Sequence, residues 1–292
     1  MTFAELYRQG AGRLSEAGVP DAANDALILI CRAAGMDTSV YLMRRGETAG
    51  EAVAAEYGRL IEKRAERIPL QQLLGEAWFM GYPFMVNGNV LIPRQDTETL
   101  VETVLEENTD AEASVLDLCT GSGCIAIALK LLGHYKNVLG TDISAEALKV
   151  AEANAKRLEA GSGISFAEAD LFCGGCFGGS CGERGADKFD IITANPPYIR
   201  TAVIEELEPE VRLFEPRTAL DGSEDGLVFY RRIASESPEW LKNGGRLYLE
   251  IGYDQAEDVS GLLSARGFSD VRVIKDLCGN DRVVKAVWYG SI

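Results

Sequence analysis

Asp117-Leu118-Cys119-Thr120-Gly121-Ser122-Gly123 is the stretch that decides the fold, because an apolar strand candidate leads into it and a helix candidate follows it. Glycines let a backbone approach a ligand closely, and the first turn of a helix offers unpaired N–H groups. Asp142 ends the next strand candidate, where a carboxylate can accept hydrogen bonds from ribose hydroxyls. Strand, turn, helix and acid together predict a cofactor site at the carboxyl edge of a parallel sheet.

Two cofactor classes fit this turn. Residues 121–126 also match the G-x-G-x-x-[G/A] fingerprint of dinucleotide-binding folds. Asp117, just before the turn, could reach the ammonium group of S-adenosylmethionine, and the chemical motif described below also favours that cofactor. The predicted cofactor-binding residues of this region are Asp117, Cys119, Thr120, Gly121, Ser122, Gly123 and Asp142.

Strand and helix patterns alternate from residue 114 onward, which is typical of a mostly parallel sheet covered by helices on both faces. The strand candidates are residues 115–118, 138–142, 164–168, 189–194, 246–251, 271–274 and 283–288. The helix candidates are residues 124–132, 145–158, 227–241 and 255–265. Residues 275–281 are too few for a crossover helix, so we expect the last two strands to pair antiparallel.

The N-terminal part of the chain predicts a separate helical domain over residues 1–75, with apolar positions at helical spacing and glycines between short helices. Residues 76–92 change character. Strand-like apolar runs and the turn dipeptide Asn87-Gly88 predict a β-hairpin linker there. Residues 93–292 then form the α/β domain.

The chemical motif is Asn195-Pro196-Pro197-Tyr198, directly after the strand candidate at residues 189–194. Its prolines fix φ and lack N–H donors, so the loop is stiff and its carbonyls are free to accept hydrogen bonds. An amide or exocyclic amine is a poor nucleophile because its lone pair is delocalised. The side-chain oxygen of Asn195 and the carbonyl of Pro196 can accept its two N–H groups, and Tyr198 can lie against the flat group.

Methyl transfer to such a nitrogen depends on positioning and hydrogen-bond polarisation more than on a covalent nucleophile or a strong base. The chain has one histidine, His134, and it lies outside the motif. We therefore predict that the catalytic residues are Asn195, Pro196, Pro197 and Tyr198, and that Asn195 also borders the cofactor.

Composition is that of a globular protein of 292 residues, 47% of them hydrophobic, with no apolar run as long as a membrane span. Seven cysteines without a recognisable export signal favour a cytoplasmic protein. The net charge is −16, and residues 93–292 carry 20 Lys/Arg against 34 Asp/Glu. Such an acidic surface repels phosphate backbones, which weighs against a nucleic-acid substrate without excluding a local basic groove.

Taken together, these motifs resemble the family of protein-(glutamine-N5) methyltransferases that act on class-I peptide-chain release factors. The resemblance covers nearly the whole chain and includes further segments at residues 67–75, 91–98, 211–216, 219–222, 249–252 and 279–282. It implies a class-I methyltransferase fold, with a Rossmann-like, mostly parallel seven-stranded sheet whose last strand is antiparallel. It also implies S-adenosylmethionine as methyl donor and the glutamine of a Gly-Gly-Gln motif as acceptor.

The resemblance further implies that Asp170 and Leu171 contact the cofactor, that residues 195–198 grip the glutamine amide, and that the helical domain recognises the release factor. Two positions depart from the usual pattern. Cys119 stands where many methyltransferases have glycine, so its backbone must tolerate a Cβ atom. Leu171 is not aromatic, so it offers no stacking face for adenine.

Two alternative functions remain open at the level of sequence. The Asn-Pro-Pro-Tyr loop by itself is shared with nucleic-acid methyltransferases acting on adenine N6 or guanine N2, which would need a basic groove near Asn195. A dinucleotide-dependent oxidoreductase, or a binding module that retains the fold, would leave the loop unexplained.

Three weaker patterns receive structural interpretations. Cys173, Cys176 and Cys181 lack a fourth nearby ligand for zinc, so we predict a glycine-rich surface insertion and no metal site. The basic residues of the segment 59–67 alternate with glutamates, which predicts a solvated helix face. Residues 210–216 are either a lid over the site or an ordinary connecting loop.

Overall fold

The computed structural model describes residues 1–174 and 188–290. Its contacts divide the chain into two compact units. The first, here called the helical unit, comprises Met1–Glu76 and Glu208–Phe214. The second, here called the sheet unit, comprises Ala77–Leu207 and Glu215–Ile292. The chain therefore returns to the helical unit for one short segment after the Asn-Pro-Pro-Tyr loop.

The helical unit consists of α1 (Phe3–Glu16), α2 (Ala22–Ala34), α3 (Thr38–Arg44), α4 (Glu51–Ala65), α5 (Leu70–Leu74) and α10 (Pro209–Phe214). Helix α1 begins with a capping box, in which the Thr2 hydroxyl accepts from the Glu5 N–H and the Glu5 carboxylate accepts from the Thr2 N–H. The core of the unit is apolar, with Leu14, Leu29 and Ile30 fully buried. Amphipathic helices around one apolar cluster thus account for this unit.

The hairpin lies earlier than the sequence predicts. Strands β1 (Glu76–Phe79) and β2 (Tyr82–Met85) are joined at Met80-Gly81, whose φ angles are 50° and 79°. Two positive φ angles suit the right-handed twist of a two-residue hairpin turn. The prediction that Asn87-Gly88 closes the hairpin is therefore wrong. The Asn87 side chain instead accepts a hydrogen bond from the Asn89 N–H, forming a local turn after the hairpin.

The sheet unit contains a seven-stranded sheet with the order β5-β4-β3-β6-β7-β9-β8. Its strands are β3 (Ser114–Leu118), β4 (Asn137–Asp142), β5 (Ile164–Glu168), β6 (Phe189–Ala194), β7 (Leu241–Glu250), β8 (Ser269–Lys275) and β9 (Asp281–Trp288). Strands β3 to β7 pair parallel, and β9 pairs antiparallel with both β7 and β8. The predicted fold class, including the antiparallel last strand, is confirmed.

Helices of the sheet unit are α6 (Gln95–Glu107), α7 (Cys124–Gly133), α8 (Ala145–Arg157), α9 (Thr201–Ile204), α11 (Val228–Trp240) and α12 (Ala256–Ala265). They cover both faces of the sheet, over two apolar clusters built around its central strands. Strand β7 begins five residues earlier than predicted, because Leu241 pairs with Phe189 before an irregularity in the register. Parallel neighbours β4, β3 and β6 end at one edge, and the loops that follow them meet there.

Within the described ranges, no single helix is long and apolar enough to cross a membrane, although the sharply bent pair α2 and α3 passes that test together.

Candidate active site

A cavity of about 600 Å³ lies at the carboxyl ends of β3, β4 and β6. Its volume is within the range of small-molecule sites. Among the residues predicted for the site, those lining the cavity are Cys119, Thr120, Gly121, Ser122, Asp142, Asp170, Leu171, Asn195 and Pro197. The structure thus brings the glycine turn, the acid after β4 and the Asn-Pro-Pro-Tyr loop to one cavity.

The glycine turn depends on backbone conformations that favour glycine. Gly121 and Gly123 have φ angles of 54° and 79°. A Cβ atom on Gly123 would lie 3.0 Å from the Ala151 Cβ atom, so glycine also permits the close packing of α7 on α8. A Cβ atom on Gly121 would meet open space, which is the space available to a ligand. Cys119 adopts a φ of 55°, so this position tolerates its Cβ atom in the left-handed region.

Asp117 lies beneath the glycine turn. Its side chain is fully buried, and its two oxygens accept hydrogen bonds from the Thr120 hydroxyl at 2.6 Å and the Thr193 hydroxyl at 2.8 Å. Burial raises the pKa of Asp117 to about 7, although these hydrogen bonds oppose the shift. Its carboxyl group therefore holds the turn against β6, and its contact with an ammonium group stays a prediction.

Asp142 organises the other side of the turn. Its carboxylate accepts from the Gly121 N–H and from the Ser144 N–H, both at 2.9 Å. Burial raises its pKa, and hydrogen bonds from the Ser144, Gly121 and Ile143 backbones oppose that shift. The residue lines the cavity next to Ile143, an apolar side chain that is 60% exposed. An acid and an apolar surface at this point suit a ribose and the base attached to it.

Asp170 and Leu171 lie on the cavity wall after β5. The Asp170 carboxylate forms an ion pair with Arg232 at 2.8 Å, and Leu171 has a φ of 56°. The Leu171 side chain is buried at 3% exposure, so it offers apolar contact rather than an aromatic face.

Asn195 lines the cavity, and its Nδ2 atom donates to the Thr97 hydroxyl at 3.4 Å. In this orientation the amide nitrogen is directed to Thr97, and Oδ1 is the end left for an incoming donor. Thr97 is itself buried, at 2% exposure, in the first turn of α6. Thr97 thus orients the Asn195 amide, a contact that the sequence does not predict.

The remaining loop residues divide between the cavity and the interior. Pro197 lines the cavity, whereas Pro196 is buried in the loop. The Tyr198 hydroxyl donates to Glu250 Oε1 at 3.4 Å, and the Tyr198 carbonyl accepts from Gln255. Burial raises the pKa of Tyr198. The Tyr198 ring is thus anchored by its hydroxyl to a buried acid. Its contact with the flat face of a substrate amide stays a prediction.

Glu250 is a buried acid behind the loop that sequence reasoning did not single out as a site residue. It is the last residue of β7, is 1% exposed, and lies between the buried residues Leu249 and Ile251. Burial raises the pKa of Glu250 to about 7, opposed by the nearby Thr97 hydroxyl and Arg282. A carboxyl group inside an otherwise apolar strand end was the signal in the sequence, since such burial is costly and is common at functional sites.

The three weaker patterns have different outcomes. Cys176 and Cys181 lie outside the described residues, so the glycine-rich insertion stays a prediction. The prediction of a solvated basic face is wrong for Arg64, which is 7% exposed and pairs with Asp25 at 2.7 Å and Glu210 at 2.9 Å. Arg67 also binds Glu210, and these contacts hold residues 208–214 in the helical unit.

Comparison with known proteins gives two family matches. Residues 5–75 match the PrmC N-terminal domain, and residues 95–218 match the ribosomal protein L11 methyltransferase (PrmA) family. The first match corresponds to the helical unit. The second spans the glycine turn and the Asn-Pro-Pro-Tyr loop.

Relatives match over nearly the whole chain. A release factor glutamine methyltransferase from Geobacter sulfurreducens is 43% identical, covering 94% of this chain and 92% of the relative. One from Caulobacter vibrioides is 39% identical, covering 98% and 96%. A solved methyltransferase structure from Pyrococcus furiosus is 16% identical with a TM-score of 0.52, covering 79% of this chain and 99% of that one. That structure supports the fold alone, and the full-length relatives do not favour a nucleic-acid methyltransferase.

Proposed function

Because this chain belongs to the family of release factor glutamine methyltransferases, we propose that it methylates the side-chain amide nitrogen (N5) of a glutamine, using S-adenosylmethionine. The acceptor is the glutamine of the Gly-Gly-Gln motif in a class-I peptide-chain release factor. The observation that carries the proposal is Asn195, which borders the same cavity as the glycine turn while its Nδ2 atom is held by Thr97. Such a reaction serves translation termination in the cytoplasm.

The residues of the cavity fit S-adenosylmethionine. Gly121 leaves open space where a side chain would otherwise project, and Asp142 offers an acceptor for ribose hydroxyls. Ile143 and Leu171 give apolar contact for a purine. When bound, this cofactor supplies a methyl group on a positively charged sulfur, which needs no further activation by the protein.

The task of the protein is to orient the acceptor nitrogen. Asn195 Oδ1 and the Pro196 carbonyl accept the two N–H groups of the glutamine amide, which directs the nitrogen lone pair towards the methyl group. The methyl group would pass from the sulfur of the bound cofactor to this nitrogen, with S-adenosylhomocysteine as the leaving group. The proton that the nitrogen sheds would pass to water, since the nitrogen becomes acidic only as it gains the methyl group. Fixed acceptors stabilise the positive charge that develops on nitrogen without reorganising at the moment of reaction.

We assign substrate recognition to the helical unit, which matches the N-terminal domain of the family. The acidic sheet unit is unsuited to a nucleic-acid backbone, whereas a protein loop that carries Gly-Gly-Gln needs only a narrow entrance. The partner is therefore a release factor, with no direct role for nucleic acid or membrane.

The test is incubation with a purified release factor and S-adenosylmethionine, followed by mass spectrometry of the Gly-Gly-Gln peptide. We expect one added methyl group on the glutamine. In Asn195→Ala, we expect kcat to fall by about 100- to 1,000-fold, as when one fixed hydrogen-bonding group of an active site is removed. Binding of S-adenosylhomocysteine, measured by calorimetry, should change little.

Asn137→Ala is the matched control, because Asn137 is an exposed residue at the start of β4 and should leave kcat unchanged. Methylation of an oligonucleotide with an untouched release factor would contradict the proposal. Full activity of Asn195→Ala would contradict the assigned role of the amide.

A further inference from the structure

Glu250 is a carboxyl group that the proposed reaction does not use. It stands at the end of β7, in a run of fully buried residues that includes Tyr248, Leu249 and Ile251. Removing a carboxylate from water costs several kcal/mol unless contacts compensate for it, and an apolar residue would pack here without that cost. The contacts of Glu250 must therefore account for its presence.

Those contacts lead to both ends of the Asn-Pro-Pro-Tyr loop. On one side, the Tyr198 hydroxyl donates to Glu250 Oε1 at 3.4 Å. On the other, Glu250 Oε2 is buried with no hydrogen-bond partner among the described residues, and the Thr97 hydroxyl that accepts from Asn195 Nδ2 at 3.4 Å is a neighbour of the carboxyl group. One buried acid thus touches the last residue of the loop directly and lies beside the hydroxyl that binds the first.

The direction of these hydrogen bonds is what matters for catalysis. An ionised carboxylate only accepts, so a Thr97 proton turned towards Glu250 would satisfy the unpartnered oxygen. The Thr97 oxygen then presents a lone pair to Asn195, which satisfies the Nδ2 end of the amide. The reversed amide would set Asn195 Oδ1 against that lone pair, so Oδ1 is left facing the cavity.

We propose that Glu250 is a positioning residue for methyl transfer: through Thr97 it fixes which end of the Asn195 amide meets the substrate, and through Tyr198 it anchors the loop. This inference rests on the proposed function and extends it to a residue that does not touch the substrate. Protonation of Glu250 would let it donate, which releases the constraint on Thr97.

Several titratable or charged groups face Glu250 from the elements packed around it. These are Asp96 on α6, Cys124 on α7, Tyr198 in the loop, Tyr230 on α11 and Arg282 on β9. The guanidinium of Arg282 is bound to Asp96 at 3.0 Å, to Asp276 at 3.1 Å and to the Ile251 carbonyl. Its charge is therefore shared with two other acids, and the pKa of Glu250 stays raised, at about 7.

The test compares wild type, Glu250→Gln and Glu250→Ala in release-factor methylation between pH 5.5 and about 9, the span that brackets this pKa. For wild type, we expect kcat to rise with pH through about 7, because the ionised acid is the active form. In Glu250→Gln, kcat should fall about 10-fold and lose that rise, and in Glu250→Ala it should fall about 100-fold, as misplacement of reacting groups does. The KM for release factor and the Kd for S-adenosylhomocysteine should stay within about twofold of wild type.

A second measurement does not depend on turnover. The side-chain NH₂ resonances of Asn195, assigned by their loss in Asn195→Ala, should shift with the ionisation of Glu250 in wild type and not in Glu250→Gln. Glu107→Gln is the matched control, because Glu107 accepts from Tyr248 on the same strand and is remote from the loop. It should retain both the wild-type kcat and the wild-type pH profile.

A Glu250→Gln enzyme with wild-type kcat and an unchanged rise near neutral pH would overturn the inference, while leaving the proposed function intact. Equal losses of kcat and S-adenosylhomocysteine affinity would also overturn it, because they indicate a general structural role. If wild type itself leaves release factor unmethylated, the proposed function fails, and the inference fails with it.

Discussion

Two pairs of acids in this chain, one pair in each unit, are compensated in opposite ways. In the helical unit, Asp25 and Glu210 both meet Arg64, whose side chain is only 7% exposed. In the sheet unit, Asp117 and Glu250 are fully buried and are held by hydroxyl groups. Burial raises the pKa of Glu210, but Arg67 and Arg64 outweigh it and the net shift is downward. Burial prevails for Asp117 and Glu250, whose pKa values rise to about 7.

This difference in pKa distinguishes acids with a structural role from acids that lie next to the reacting groups. Glu210 faces two arginines that hold its pKa below the usual range, so it stays charged at neutral pH and acts as a fixed connection. A buried acid that faces hydroxyl groups is poised near neutrality and can set the direction of hydrogen bonds around a reacting group. Both acids of the second kind lie next to the cavity, one under the glycine turn and one under the Asn-Pro-Pro-Tyr loop.

The largest expected effect is the loss of the arginine from the helical unit. Arg64→Met keeps much of the side-chain volume but leaves Asp25 without its cation and Glu210 with Arg67 only. We expect the free energy of unfolding to fall by about 5 kcal/mol, as when one partner of a buried ion pair is removed. Denaturant unfolding measures this loss.

Arg13→Met is the control for that prediction, because the ion pair of Arg13 with Glu62 is exposed to solvent. Exposed pairs contribute little, so its unfolding midpoint should match wild type. An equal loss in both variants would remove the distinction between buried connections and surface pairs.

The next effect is the pH dependence contributed by Asp117. Its pKa is raised in the folded state, so the folded protein binds the proton more tightly than the unfolded chain does. Stability from this group is therefore present at low pH and is lost as the pH rises from about 4 to about 7, by about 4 kcal/mol in total. Between pH 4 and pH 8, the unfolding free energy of wild type should fall by that amount relative to the unfolding free energy of Asp117→Asn. A flat difference would contradict the raised pKa.

The smallest effect has the opposite sign. The pKa of Glu210 is lowered in the folded state, so its stabilisation is present above the unfolded pKa and is lost as the pH falls through the folded one. Glu210→Gln should lower the free energy of unfolding by about 1 kcal/mol at neutral pH, because glutamine keeps an accepting oxygen but lacks the charge. Titration of both proteins by denaturant unfolding should show the difference shrinking in acid. If the stability difference between wild type and Glu210→Gln instead grew in acid, the pKa of Glu210 would be raised, as that of Asp117 is, and the contrast between the two acids would be wrong.

Much of the fold follows from local patterns. Predicted strands at residues 164–168 and 189–194 coincide with β5 and β6, because short strand-like segments that alternate with helices fit into a parallel sheet covered on both faces. The hairpin was misplaced because Asn87-Gly88 is the stronger turn dipeptide by composition. Met80 accepts a positive φ there because strands β1 and β2 pair on either side of it, which is a tertiary constraint.

The sequence by itself determined the cavity: the glycine turn, Asp142 and Asn195 follow strands whose carboxyl ends must meet at one edge of a parallel sheet. Only the tertiary structure decided what lies behind those residues. It placed Asp117 under the turn, Glu250 and Thr97 under Asn195, and Arg64 between two acids. The physical reason is that backbone periodicity fixes where a chain segment ends, whereas the partner of a buried polar side chain depends on segments far apart in sequence that packing brings together.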